Sequence, residues 1–133
     1  MPNSSAARSD NGVVTKAGTR SVADTVARLA ELVTMRGMTL FSIVDHSEEA
    51  RRVGLELRET KLVIFGSPAS GTPVMQAAPL AALDLPLKVL VWDDDGQTRI
   101  SYPDPDVLAA RYGLGPELVL YGIGSLTDAL TES

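Results

Sequence analysis

The segment Lys61-Leu62-Val63-Ile64-Phe65-Gly66 constrains the fold more than any other stretch of this chain. Four large apolar residues run together between a charged residue and a glycine. A half-exposed strand alternates apolar and polar side chains, and this run does not. It is also shorter than an ordinary buried helix. It therefore predicts a central strand covered on both faces.

The flanking sequence supplies the elements that would cover it. Residues 21–36 predict the clearest helix: Ser21 can cap it, Asp24 follows three residues later, and Val22, Val26, Leu29 and Val33 form one apolar stripe. Gly37 can take the left-handed stop. Residues 12–18 and 38–45 read as strands, and residues 47–53 as a short helix capped by Ser47. Residues 74–83 are helical or part-helical, interrupted by Pro79. Residues 86–102 predict a hairpin about Asp95-Gly96. In that register Leu87, Val89, Val91, Ile100 and Tyr102 share the core face, and Trp92 stands opposite Arg99 as a cation–π pair. Asp104 and Pro105 open a further helix closed by Gly113, and Gly115-Pro116 open the last, with Val119, Ile123, Leu126 and Leu130 at helical spacing. Gly122 and Gly124 weaken that helix by about 1 kcal/mol each relative to alanine.

The element order is β-α-β-α-β-α-β-β-α-α. The expected fold is a single α+β (α/β) domain over residues 12–133, with helices packed on a mixed parallel and antiparallel sheet. The early crossovers suggest the parallel pairing. Residues 1–11 contain nothing large and apolar and read as a disordered tail.

Composition removes several classes of function. There is no cysteine among the 133 residues, so disulfides, thiolate metal sites and cysteine nucleophiles are excluded. No apolar run approaches the roughly 18 residues that span a bilayer, and residues 1–12 lack the apolar core of a secretory signal. A cytoplasmic location is the resulting expectation. A net charge of −5 with scattered Lys and Arg argues against nucleic acid or anionic membrane as partner.

The most distinctive chemistry follows the central strand, in Gly66-Ser67-Pro68-Ala69-Ser70-Gly71-Thr72-Pro73. Such a bend can present backbone N–H groups to an anion. It spaces two glycines as a phosphate-cradling loop does, but Thr72 stands where that motif needs lysine, and Pro68 and Pro73 have no N–H. A rigid strand-to-helix turn is the plainer reading. His46 is the only histidine, next to Asp45 at a strand-to-helix turn. It could act as a general base if Asp45 or Asp84 oriented it, but a structural or capping role is the plainer reading. Asp93-Asp94-Asp95 reads as a solvated turn rather than a calcium loop. Met75, Gln76 and Trp92 are candidates for lining a pocket.

Several words in order are similar to one family: Asp45-His46-Ser47, Ala50-Arg51-x-Val53-Gly54-Leu55, Phe65-Gly66-Ser67-Pro68, Gly71-Thr72-Pro73-x-Met75-Gln76, the run Ala82-Leu83-Asp84-Leu85-Pro86-Leu87-Lys88, and Tyr102-x-Asp104-Pro105. On these the chain resembles the domain-of-unknown-function 302 family over roughly residues 12–130. Ser67 departs from the asparagine that the family often carries there. The resemblance implies an α+β domain that tends to form homodimers. It implies no activity, cofactor or catalytic residue.

The expected function is a homodimer that binds or senses a small polar or anionic molecule. The candidate ligand-binding residues are His46, Gly66, Ser67, Ser70, Gly71, Thr72 and Gln76. No cofactor or metal is expected. The alternatives are a protein-interaction module using Leu90 and Trp92, and a hydrolase or isomerase using His46 with an aspartate.

Overall fold

A computed structural model describes residues 6–9, 11–115 and 122–132. Its elements are β1 (Ala7–Arg8), β2 (Val13–Ala17), α1 (Val22–Met35), β3 (Thr39–Asp45), α2 (His46–Arg52), β4 (Thr60–Gly66), α3 (Pro68–Ala77), a 3₁₀ turn (Pro79–Asp84), β5 (Leu87–Asp94), β6 (Gln97–Pro103), α4 (Pro105–Tyr112) and α5 (Gly122–Asp128). Ala7–Arg8, read from sequence as part of a tail, pairs with β2. Pro116 and Val119, expected in the last helix, lie outside the described residues.

The strands form one sheet in the order β1-β2-β6-β5-β4-β3. Every neighbouring pair is antiparallel, which corrects the expected mixed sheet. The correction has a simple origin. The β2–α1–β3 crossover does return the chain in the same direction, as a parallel unit would. But β3 goes to the far edge, and the β4–β5–β6 meander fills the three places between it and β2.

The locally determined elements follow their sequence signals. Ser21 caps α1, its side chain accepting from the Asp24 N–H. Val22, Val26, Leu29, Leu32 and Val33 are buried on one stripe. The hairpin has the expected register, Val91 facing Ile100 and Trp92 facing Arg99. Asp95 and Gly96 both have positive φ, 50° and 95°, as a two-residue primed turn requires. The predicted Trp92–Arg99 stack is not made. Arg58 lies 6.0 Å from the Trp92 ring centroid instead, because Arg99 turns to Asp94 at 3.2 Å.

The core occupies one face of the sheet. Val63, Phe65, Val89, Val91 and Ile100 are fully buried there against α1, α4 and α5 residues. Leu62, Ile64, Leu90 and Trp92 lie on the other face and are only part-buried. The strand β4 is thus interior to the sheet, but helices cover one of its faces, not two. Sequence gave no hint of one buried cation. Lys16 on β2 is 3% exposed. Its Nζ donates to Gly124 O at 2.9 Å and Thr127 Oγ1 at 2.7 Å, and sits 2.7 Å from Asp128 Oδ1. Three partners offset the desolvation of one ammonium, and they bind α5 to the sheet.

Candidate functional site

The two ends of the sheet carry the two groups of residues singled out by sequence. β3 and β4 pair with Asp45 opposite Lys61 and Thr39 opposite Gly66. Asp45 and Thr39 are six residues apart on one strand, which is about 20 Å at strand rise. His46 follows Asp45, and Ser67 follows Gly66. The imidazole and the glycine–proline bend are therefore at opposite ends, so His46 does not join the other candidate ligand-binding residues in one site. The reason is the antiparallel pairing: consecutive strands leave the sheet at alternate ends.

At the first end the polar groups satisfy one another. Asp45, not Ser47, caps α2. Its Oδ1 accepts the Ser47 hydroxyl at 2.6 Å and the Glu48 N–H at 3.0 Å. Lys61 Nζ lies 3.8 Å from Oδ2. These contacts, the Ser47 hydroxyl foremost, hold the Asp45 carboxyl below its ordinary value. His46 begins α2 with its side chain exposed. Asp84 is engaged elsewhere, accepting from the Tyr112 hydroxyl and from Arg111 Nη1 at 2.9 Å. Neither aspartate orients His46, so the hydrolase or isomerase reading loses its geometric basis.

At the second end, Ser67 caps α3 and Pro68 takes its first helical position. The bend at residues 67–73 is thus the opening of the helix rather than a loop before it. The Ser70 N–H donates to Ser67 O at 3.0 Å and to Ser67 Oγ at 3.3 Å, and the Gly71 N–H donates to Ser67 O at 2.7 Å. These amides turn back on the chain, so a phosphate cradle of free N–H groups is not formed.

Two cavities border Ser67. The first, of about 160 Å³, is apolar and is walled by Phe41, Gly66, Pro68, Met75, Leu85 and Pro86. The second, of about 250 Å³, is bordered by Arg36, Met38, Phe65, Ser70, Ile123 and Leu126. Ser67 and Leu87 line both. Gly66 leaves the first cavity open: a Cβ there would meet Pro86 at 3.5 Å and the Phe41 ring at 3.6 Å. Of the predicted residues, Gly66, Ser67, Ser70 and Gly71 come together here. Thr72 and Gln76 lie on exposed positions of α3 and line neither cavity.

Sequence reasoning missed Phe41, Arg36 and the Leu85-Pro86-Leu87 wall. The register shift between Leu40 and Ser42 makes Phe41 the extra residue of a bulge, which lets it serve the cleft. Nothing in Met38-Thr39-Leu40-Phe41-Ser42 marks that bulge. Arg36 is the C-cap of α1, and nothing in the neighbouring sequence sets it apart.

These features define a single-sheet α+β domain with a small, mostly apolar cleft at one sheet end. The chain belongs to the family described as domain of unknown function DUF302, whose model matches residues 14–130. The fold is also that of a conserved DUF302 protein from Bacillus stearothermophilus, known from a crystal structure. The TM-score is 0.76 at 21% identity, covering 90% of this chain and 95% of that one. Two curated relatives are the fluoride-specific ion channels FluC 1 of Brucella suis biovar 1 (strain 1330) and FluC 1 of Brucella abortus biovar 1 (strain 9-941). Each is 42% identical over 107 residues, which is 80% of this chain. The chain spans only 42% and 40% of those proteins. Among the described residues no helix is long and apolar enough to cross a membrane.

Proposed function

We propose that the protein is a cytoplasmic small-molecule-binding or sensing domain, acting as a homodimer, whose ligand occupies the cleft beside Ser67. One observation carries this reading: an apolar cavity of about 160 Å³ opens at the end of a buried strand, where Gly66 leaves the wall without a side chain. Ligand sites of this kind are concave and apolar, with few polar groups to orient the ligand. Here Ser67 supplies one. The exposed Leu40 and Ile43 on the β3 edge favour the homodimer, since a bare apolar edge strand invites pairing.

Gly66→Val tests the cleft. Valine suits a strand, and its methyls would fill the space. A small-molecule library screened by thermal shift should yield compounds that stabilise the wild type, by about 2.7 kcal/mol at 100 times Kd. The variant should gain nothing from the same compounds. Equal stabilisation of both proteins would place binding elsewhere. Sedimentation equilibrium tests the dimer, and a monomer at high concentration would remove it.

The Brucella match favours a second reading, an interaction module that works beside a fluoride channel. In those relatives the matched segment is under half of the protein. The part-exposed Leu90 and Trp92 face would then be the contact. Trp92 is held there by its Nε1–H, donated to Ser101 Oγ at 3.0 Å. Retention of fluoride efflux in cells lacking this domain would count against it.

A further inference from the structure

The two cavities beside Ser67 differ in chemistry, and the difference describes a ligand. The first is walled by Phe41, Met75 and Pro86 and offers almost nothing polar beyond Ser67. The second is bordered by Arg36, Ser67 and Ser70, with the Ser67 hydroxyl donating to Ser70 Oγ at 3.3 Å. Arg36 is one of three cations, with Arg20 and Lys88, that form no ion pair among the described residues, and of these it alone borders a cavity with hydroxyl groups. Acidic residues outnumber basic ones, 17 to 12, and most cations are ion-paired. Among the described residues Arg36 has no carboxylate within salt-bridge distance. Its one side-chain partner is neutral, the Ser125 hydroxyl, to which Nη1 donates at 3.1 Å. A guanidinium bordering a cavity, with only a neutral partner among the described residues, is suited to a carboxylate from outside.

We infer that the ligand is a small amphipathic monocarboxylate, its carboxylate held by Arg36 with Ser67 and Ser70 and its apolar end lodged between Phe41 and Met75. This rests on the cleft reading above and names the ligand class for it. A single guanidinium matches a single negative charge. A phosphate dianion would call for further cations, and the net charge of −5 opposes it. The apolar cavity sets the other requirement: affinity rises a few-fold for each methylene that it buries, until the wall at Met75 is reached.

The test uses hexanoate and 1-hexanol as probes, titrated by calorimetry into the full chain and into Arg36→Gln, Arg36→Lys and Gly66→Val. The expected result is that Arg36→Gln weakens hexanoate about tenfold and leaves hexanol unchanged. Arg36→Lys should recover part of the loss, which separates charge from folding damage. Gly66→Val should weaken both probes. If hexanoate binds no better than hexanol, or Arg36→Gln affects the two alike, the carboxylate inference is wrong while the cleft stands. If neither probe binds the wild type, or Gly66→Val leaves both untouched, the cleft reading itself fails.

Discussion

The two ends of this sheet invite opposite conclusions from sequence and from structure. The Asp45–His46 end carries the residues with chemical reputation: the sole imidazole, adjacent carboxylates and an acidic turn. There several of the charges meet partners. Asp45 faces Lys61, Glu48 faces Arg51, Glu49 faces Arg52, and Asp94 takes both Arg58 and Arg99. The Ser67 end looks bland in sequence, all small residues and prolines. Yet it holds the cavities, an unfilled position at Gly66 and a guanidinium that has no carboxylate partner among the described residues. A site announces itself by what is left unsatisfied, more than by which residue types are present. Satisfied charges build a wall; unsatisfied groups await a ligand.

Several substitutions would break or sharpen that contrast. The largest effect is expected from Phe65→Ala. Phe65 is fully buried where the core meets the cleft end, and its truncation should cost about 3–5 kcal/mol. Denaturant midpoints would measure it. A loss under 1 kcal/mol would mean that this end is not part of the common core.

The two caps give a matched pair. Asp45→Ala and Ser67→Ala each remove a helix N-cap, and each should cost about 1 kcal/mol. Only Ser67→Ala should alter ligand affinity. If Asp45→Ala altered it as strongly, the two ends would not be independent.

A smaller effect is expected from acid. The Tyr112 hydroxyl, with Arg111, holds the Asp84 carboxyl below its ordinary 3.8. A carboxyl whose pKa is lowered by folding contributes stability above that value. The contribution is lost as pH falls through the lowered folded value. Thermal unfolding between pH 6 and pH 2 should therefore decline at the acid end, and Asp84→Asn should make the decline shallower. An unchanged acid limb would show the ion pair to be idle.

His46→Ala should do least. Its side chain is exposed, so stability should stay within about 0.5 kcal/mol and hexanoate affinity should not move. A tenfold change in affinity would restore the imidazole to the site.

The sequence by itself determined the pieces whose signals are local. The Ser21 cap and valine stripe gave α1, the Asp95-Gly96 dipeptide gave the hairpin and its register, and Asp104-Pro105 with Gly113 bounded α4. Each depends on residues within a few positions of one another, where helical period, cap geometry and left-handed φ act directly. That Gly66-Ser67-Pro68 breaks the apolar run and opens a helix was legible for the same reason, whereas the lining of cavities by Gly66, Ser67, Ser70 and Gly71 was not. Tertiary structure decided the rest. That β3 crosses to the far edge, that the sheet is antiparallel throughout, and that His46 is parted from Ser67 all follow from strand order. Strand order is a competition among distant pairings, and no short stretch of sequence records its outcome. The placing of Arg36, Phe41 and Leu85-Pro86-Leu87 around one cleft is of that kind. These residues come from a helix end, an edge-strand bulge and the start of an interior strand, and only the packed core brings them together.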